Sequence, residues 1–107
     1  WDLPERVDKR YGGLLNKEEF TADFENYGGL MFKYIPKCKH WITFNEPSSS
    51  AINGYLVGIF APGHTSDRNK SPVGDSAREP WIVGHNILIA HGKAEFFYRE
   101  EFKPTIY

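Results

Sequence analysis

Residues 40–47 have the sequence HWITFNEP, and the fold prediction starts from this stretch. Trp41 to Phe44 are all aromatic or β-branched, and a proline closes the run shortly afterwards. A short run of this kind is typical of a buried strand of about four residues. Asn45 and Glu46 follow the run directly. We therefore expect two polar side chains at the end of a buried strand.

A helix is predicted before this strand. Asn16 and Glu19 have the spacing of a capping box, in which each side chain accepts a hydrogen bond from an unpaired backbone N–H at a helix start. Apolar and aromatic residues then recur at steps of four and three, as on one face of an amphipathic helix. They are Phe20, Phe24, Tyr27, Met31 and Tyr34. Gly28 and Gly29 each cost about 1 kcal/mol relative to alanine in a helix interior, but burial of the apolar face should exceed that cost. Pro36 ends the predicted helix.

Three other regions carry loop or strand signals. Residues 1–16 contain a charged run and a Tyr-Gly-Gly turn signal, which predict a loop. Residues 48–74 are rich in serine, glycine, proline and asparagine, which predicts a long loop with room for a short helical turn. A loop longer than about 15 residues in a compact domain is usually functional or disordered. Residues 105–107 are the predicted start of another strand.

A second helix is predicted over residues 80–102. Ser76 and Glu79 repeat the capping-box spacing, and Pro80 falls in the first turn, where proline is tolerated. Helices that alternate with short apolar strands indicate a parallel α/β fold. Functional sites in such folds gather where a strand ends and the next loop begins. Glu46 stands at such a point.

The Asn45–Glu46 pair has two interpretations. A carboxyl group at the end of a buried strand suits proton transfer, because burial raises a carboxyl pKa towards neutrality. Asn45 adds one acceptor and two donors that can orient a hydroxyl-rich ligand. Alternatively, Glu46 is a surface residue in a tight Asn-Glu-Pro turn and Asn45 bonds its own backbone. The residue types and spacing alone are compatible with both.

Composition excludes several classes of function. With 13 basic and 14 acidic side chains, the net charge is −1, unlike the basic surface of a nucleic-acid or anionic-membrane binder. No apolar run approaches the roughly 20 residues of a membrane-spanning helix. Cys38 is the single cysteine, which leans towards a reducing compartment such as the cytoplasm. The chain opens without methionine, so we expect a longer natural N-terminus and leave the compartment open.

Aromatic residues and histidines are further candidates for a binding site. Aromatics form 16% of the chain, which fits either a large core or a site for partly apolar ligands such as sugars. His85 and His91 lie six residues apart, so they do not share one helix face as a metal-binding pair would. No phosphate-binding glycine loop is present. We therefore predict no metal and no cofactor.

Several stretches together resemble one family. Residues 41–47 are similar to the Thr-Phe/Leu-Asn-Glu-Pro signature of glycoside hydrolase family 1, the β-glucosidases and their relatives. Other stretches resemble further motifs of that family and come in the family's order. They are residues 1–4 (WDLP), 11–16 (YGGLLN), 58–63 (GIFAPG), 79–86 (EPWIVGHN) and 90–92 (AHG). The sequence from the Ala-Pro-Gly loop to Glu-Pro-Trp is most similar to that of fungal members of the family.

The resemblance implies a fold and an activity. The fold would be α/β, with residues 1–107 covering about two of the eight units of one (β/α)8 TIM-barrel domain and containing no internal boundary. The activity would be that of a retaining β-glucosidase acting on β-glucosides or cello-oligosaccharides. Glu46 would be the catalytic acid/base, and Asn45 would bond the sugar 2-hydroxyl. Trp1 would line the glycone pocket.

Two departures from the family pattern leave other interpretations open. The family carries its nucleophile in a Thr-Glu-Asn-Gly motif, which this sequence lacks. Because a retaining glycosidase needs two carboxyl groups about 5 Å apart, we expect the 107 residues alone to be inactive. Ser48 stands where many members have tryptophan. The alternatives are a non-catalytic carbohydrate-binding or scaffold barrel, and a segment excised from a longer enzyme.

Overall fold

The computed structural model describes residues 3–103, which are mainly helical. The α-helices are α1 (Glu5–Tyr11), α2 (Lys17–Tyr34), α3 (Pro47–Tyr55) and α4 (Glu79–Glu101), and Gly13–Leu15 form a short 3-10 helix. Trp1 and the predicted strand at 105–107 lie outside the described residues. No helix in the described part of the chain is both long and apolar enough to cross a bilayer.

The two long helices form where the sequence predicts them. The side-chain oxygen of Asn16 accepts a hydrogen bond from the Glu19 N–H at 3.1 Å and caps α2. This helix ends at Tyr34, two residues before Pro36, as expected from the missing proline N–H. Pro80 lies in the first turn of α4. α2 and α4 pack against each other.

The face of α2 that packs on α4 is not the predicted aromatic face. Thr21, Gly28 and Phe32 contact α4 and are buried. Tyr27 and Tyr34 of the predicted face are exposed.

Gly28 and Gly29 lie where α2 faces α4. A Cβ atom added at Gly29 would lie 2.7 Å from Cε1 of Phe97 on α4, closer than unstrained carbon atoms approach. A Cβ at Gly28 would lie 3.6 Å from the Cβ of Ala94, in ordinary contact. The glycines therefore disfavour α2 as an isolated helix but allow a ring of α4 to pack against its backbone.

Gly29→Ala should reveal this packing when it is compared with Gly92→Ala. Both changes improve helix propensity by about 1 kcal/mol, but only Gly29 faces a ring, whereas a Cβ at Gly92 meets nothing within 4 Å. We expect Gly29→Ala to be about 1–3 kcal/mol less stable than Gly92→Ala because of overpacking. Urea unfolding of the full-length protein measures the difference. Equal midpoints would show that the Phe97 ring moves aside freely.

The predicted strand Trp41–Phe44 is wrong for the described residues. Between residues 3 and 103 the structure contains no β-strand, and Val57 and Thr65 form an isolated antiparallel bridge. A strand requires a neighbour to pair its backbone N–H and C=O groups. The described part of the chain offers none to residues 41–44, which instead form an irregular connection between α2 and α3.

Two predicted loops contain helices. The loop predicted for residues 1–16 is wrong over α1, where Lys9 and Glu5 form an i,i+4 ion pair at 2.8 Å. Gly12, at φ +87°, ends that helix in the left-handed conformation that glycine favours.

The loop predicted for residues 48–74 had room for a short helical turn, but α3 is longer than that and spans nine residues. Pro47 begins this helix with a suitable φ angle. Ala51 and Tyr55, one turn apart, are buried against Val83 and Ile87 of α4. Tertiary burial of one face therefore stabilises a helix that its serine-rich composition does not predict.

Candidate active site

Glu46 lies at the junction between the irregular connection and α3. Its backbone has φ 44° and ψ 63°, in the left-handed region that a residue with a side chain enters at a cost of about 1–2 kcal/mol. Its carbonyl accepts hydrogen bonds from the N–H groups of Ser49 at 2.9 Å and Ser50 at 3.3 Å. Its carboxylate accepts a hydrogen bond from the Ser49 hydroxyl at 3.3 Å. The first turn of α3 thus holds a strained, exposed glutamate.

Asn45 is exposed and contributes to an aromatic groove. The groove has a volume of about 530 Å³ and includes Phe24, Tyr27 and Phe44 among its lining residues. Phe24 and Phe44 stack with their ring centroids 4.3 Å apart. Such rings offer apolar surface, while the Asn45 amide offers donors and an acceptor. The combination suits a ligand with both apolar and hydroxyl faces.

Tyr11 and Asp23 also line this groove. Burial, followed by the hydrogen bond to Asp23, raises the pKa of Tyr11 to about 12. The phenol therefore stays protonated at neutral pH and donates to the Asp23 carboxylate at 2.9 Å. Sequence reasoning used Tyr11 only as part of a turn motif and missed Asp23, because the two are 12 residues apart and share no local pattern.

The connection before Glu46 is attached to both long helices. On the α2 side, the ring of Trp41 packs edge-on against Phe32, with centroids 5.1 Å apart. On the α4 side, the hydroxyl of Thr43 lies 2.8 Å from Nδ1 of His91, at hydrogen-bond distance. His85, on the same helix, is exposed. In residues 3–103 no three His, Cys, Asp or Glu side chains form a group that could hold a metal ion.

A compact loop follows α3. The Arg68 guanidinium donates to the carbonyl oxygens of Thr65 at 2.7 Å, Ser71 at 3.3 Å and Gly74 at 2.6 Å. The N–H of His64 donates to the carbonyl of Gly54 at 2.9 Å. The Arg68 side chain therefore binds three carbonyl groups of the loop, and a backbone hydrogen bond links the loop to α3.

The capping box predicted from Ser76 and Glu79 is wrong. Oε2 of Glu79 accepts from the Asp75 N–H at 3.1 Å and lies 3.1 Å from Nδ1 of His64. The hydroxyl of Ser76 instead donates to the Leu56 carbonyl at 2.7 Å. Glu79 therefore joins the start of α4 to His64 in the loop, and Ser76 joins the end of the loop to Leu56, the residue that follows α3.

Comparisons with known proteins agree with one another. The family described as Glycosyl hydrolase family 1 matches residues 1–105. Beta-glucosidase 1B of Phanerodontia chrysosporium is 51% identical over 106 residues, covering 98% of this chain and 20% of that protein. Beta-glucosidase 16 of Arabidopsis thaliana is 46% identical, covering 98% of this chain and 21% of that protein.

Solved structures show the same similarity in three dimensions. A GH1 beta-glucosidase from the fungus Humicola insolens, in complex with glucose, is 78% identical with a TM-score of 0.97, covering 99% of this chain and 22% of that chain. The rice Os3BGlu6 beta-glucosidase is 38% identical with a TM-score of 0.94, covering 99% of this chain and 23% of that chain.

These likenesses confirm the expected fold class, an α/β barrel of which this chain forms a part. The chain spans about a fifth of the length of the relatives it matches. The described residues supply helices of that architecture and the connection that carries Asn45 and Glu46. The match extends along almost all of the sequence. The chain belongs to glycosyl hydrolase family 1.

Proposed function

We propose that this chain is part of a retaining β-glucosidase that hydrolyses terminal, non-reducing β-D-glucosyl residues of β-glucosides or cello-oligosaccharides. One observation carries the proposal: Asn45 and Glu46 lie exposed immediately before α3, in a segment 78% identical to a GH1 beta-glucosidase solved with glucose. Residues 1–107 would then belong to a single barrel domain without an internal boundary.

Glu46 would transfer protons in both steps of the reaction. In the first step, its carboxyl group gives a proton to the glycosidic oxygen while a second carboxylate attacks the anomeric carbon and the C–O bond breaks. In the second step, the Glu46 carboxylate takes a proton from water as the water oxygen attacks the same carbon and releases the second carboxylate. That second carboxylate would lie in the part of the enzyme outside these 107 residues.

Asn45 and Trp1 would bind the sugar. The amide of Asn45 can donate to and accept from hydroxyl groups, and it stands next to the acid/base residue in the sequence. We assign it to the 2-hydroxyl of the bound glucose unit. Trp1, outside the described residues, would offer an indole surface to the same unit.

The stereochemistry of hydrolysis tests this proposal. The full-length protein, with its intact mass verified, is mixed with p-nitrophenyl β-glucoside, and proton NMR follows the first glucose anomer released. We expect the β-anomer first, because two displacements retain configuration. The isolated 107-residue chain serves as an inactive control.

Two results would contradict the proposal. Initial release of the α-anomer would mean a single displacement and an inverting enzyme. Absence of hydrolysis by the full-length protein, together with calorimetric binding of glucose, would identify a non-catalytic carbohydrate-binding barrel instead.

A further inference from the structure

The strained turn at Glu46 requires fixed flanks. A residue in the left-handed region keeps that conformation only when the surrounding structure determines its backbone. The flank after Glu46 is α3, whose buried residues Ala51 and Tyr55 pack against Val83 and Ile87 of α4. This flank is therefore held by a long helix through apolar contacts.

The flank before Glu46 has a different attachment. Its rings pack on α2, where Phe44 lies against Phe24 and Trp41 against Phe32. Ring contacts of either kind tolerate small sliding movements, whereas a hydrogen bond constrains both distance and direction. Thr43 supplies such a bond to α4, three residues before Glu46. One of the two partners donates, depending on the tautomer of the imidazole.

Both flanks meet the same part of α4. Ile87 and His91 are four residues apart in this helix, so they lie on one face, separated by about one turn. Ile87 packs against α3, and His91 bonds Thr43. A single rigid element thus holds the chain on both sides of Glu46.

We propose that Thr43 and His91 are positioning residues for the acid/base step. Their hydrogen bond fixes the connection before Glu46 to α4, and the packing of α3 on α4 fixes the chain after it. Together they orient the Glu46 carboxyl group towards the glycosidic oxygen. The inference rests on the proposed function, since it concerns the orientation of the Glu46 carboxyl group and not its role as the proton donor.

Substrates with different leaving groups test the inference in the full-length protein. Thr43→Val removes the hydroxyl and keeps the shape, and His91→Ala removes the exposed ring. Each should lower kcat/KM by about 10- to 100-fold for alkyl β-glucosides, whose leaving group needs a proton. Neither should change kcat/KM for 2,4-dinitrophenyl β-glucoside, whose leaving group departs as the anion.

Conservative variants and a matched control separate positioning from general damage. Thr43→Ser keeps the hydroxyl, and His91→Asn keeps a polar atom near the position of Nδ1, so both should restore most of the alkyl-glucoside activity. His85→Ala removes an exposed histidine from the same helix and should match the parent protein. The double variant Thr43→Val/His91→Ala should be no worse than either single variant, because one bond is lost in all three.

The outcomes distinguish this inference from the proposed function. Equal losses on both substrates, or no loss on either, would overturn the positioning role. If Thr43→Val does not fold, His91→Ala at its exposed position carries the same comparison. Glu46→Gln is measured alongside. If Glu46→Gln lowers kcat/KM equally for the two substrates, or for neither, the proposed acid/base function itself fails.

Discussion

Replacing Glu46 by glutamine in the full-length protein should lower kcat/KM for alkyl β-glucosides by about 10²–10⁴-fold. Glutamine keeps the size of the side chain and can still accept from the Ser49 hydroxyl, but it has no acidic proton to give. The loss should be small for 2,4-dinitrophenyl β-glucoside, because its leaving group needs no protonation. Steady-state kinetics on both substrates measure the contrast.

Added azide provides a second measurement on the same variant. Azide attacks the anomeric carbon without a general base, so it should restore kcat for the activated substrate and yield a β-glucosyl azide. Glu18→Gln, an exposed change in the first turn of α2, is the matched control and should leave the kinetics unchanged. Full activity of Glu46→Gln on alkyl glucosides would refute the acid/base assignment.

Gly74→Ala should destabilise the protein more than Gly29→Ala. Gly74 has φ +122°, and a Cβ added there would clash with the backbone nitrogen of Thr65 and lie 2.9 Å from the carbonyl carbon of His64. Backbone atoms cannot move aside as a flexible side chain can. Strain and overpacking together should cost about 2–5 kcal/mol.

Urea unfolding of the full-length protein measures this cost, and Gly84→Ala is the control. A Cβ at Gly84 meets nothing within 4 Å, and its place within α4 should make alanine more stable by about 1 kcal/mol. Gly74→Ala should therefore unfold at lower urea and Gly84→Ala at higher urea than the parent. An unchanged midpoint for Gly74→Ala would mean that the loop rearranges without cost.

Sequence alone predicted the long helices because their signals are local. The Asn16 cap and Pro36 lie within a turn of the ends of α2 that they determine. The predicted apolar face is only partly right, because Phe20 is buried but Tyr27 and Tyr34 are exposed. Asn45 and Glu46 are candidate site residues because a distinctive motif contains them, and their roles stay a prediction. Each of these features depends on residues close together in the chain.

The strand and α3 could not be predicted correctly, because distant residues decide both. Residues 41–44 have strand composition but no pairing partner within residues 3–103. α3 contains three serines and a glycine, which are poor helix formers, yet burial of Ala51 and Tyr55 against α4 compensates. Local composition shows neither that a pairing strand is missing for residues 41–44 nor that α4 packs against α3.

The side-chain contacts around the candidate site could not be predicted from the sequence either. Thr43 and His91 are 48 residues apart, and the Arg68 contacts depend on the path of an irregular loop. Neither leaves a periodic trace. For Gly28 and Gly29 the local signal is misleading. Glycine lowers helix propensity, but here its small size allows α4 to pack closely against α2.

The left-handed backbone of Glu46 has a consequence for protein engineering. Glycine and asparagine enter this conformation more readily than glutamate, so a search for thermostabilising substitutions would favour them at position 46. Stability gained in this way would remove the proposed proton donor, an instance of the trade-off between stability and activity. Thermostabilisation of this segment should therefore leave position 46 unchanged and act on open helical positions such as Gly84.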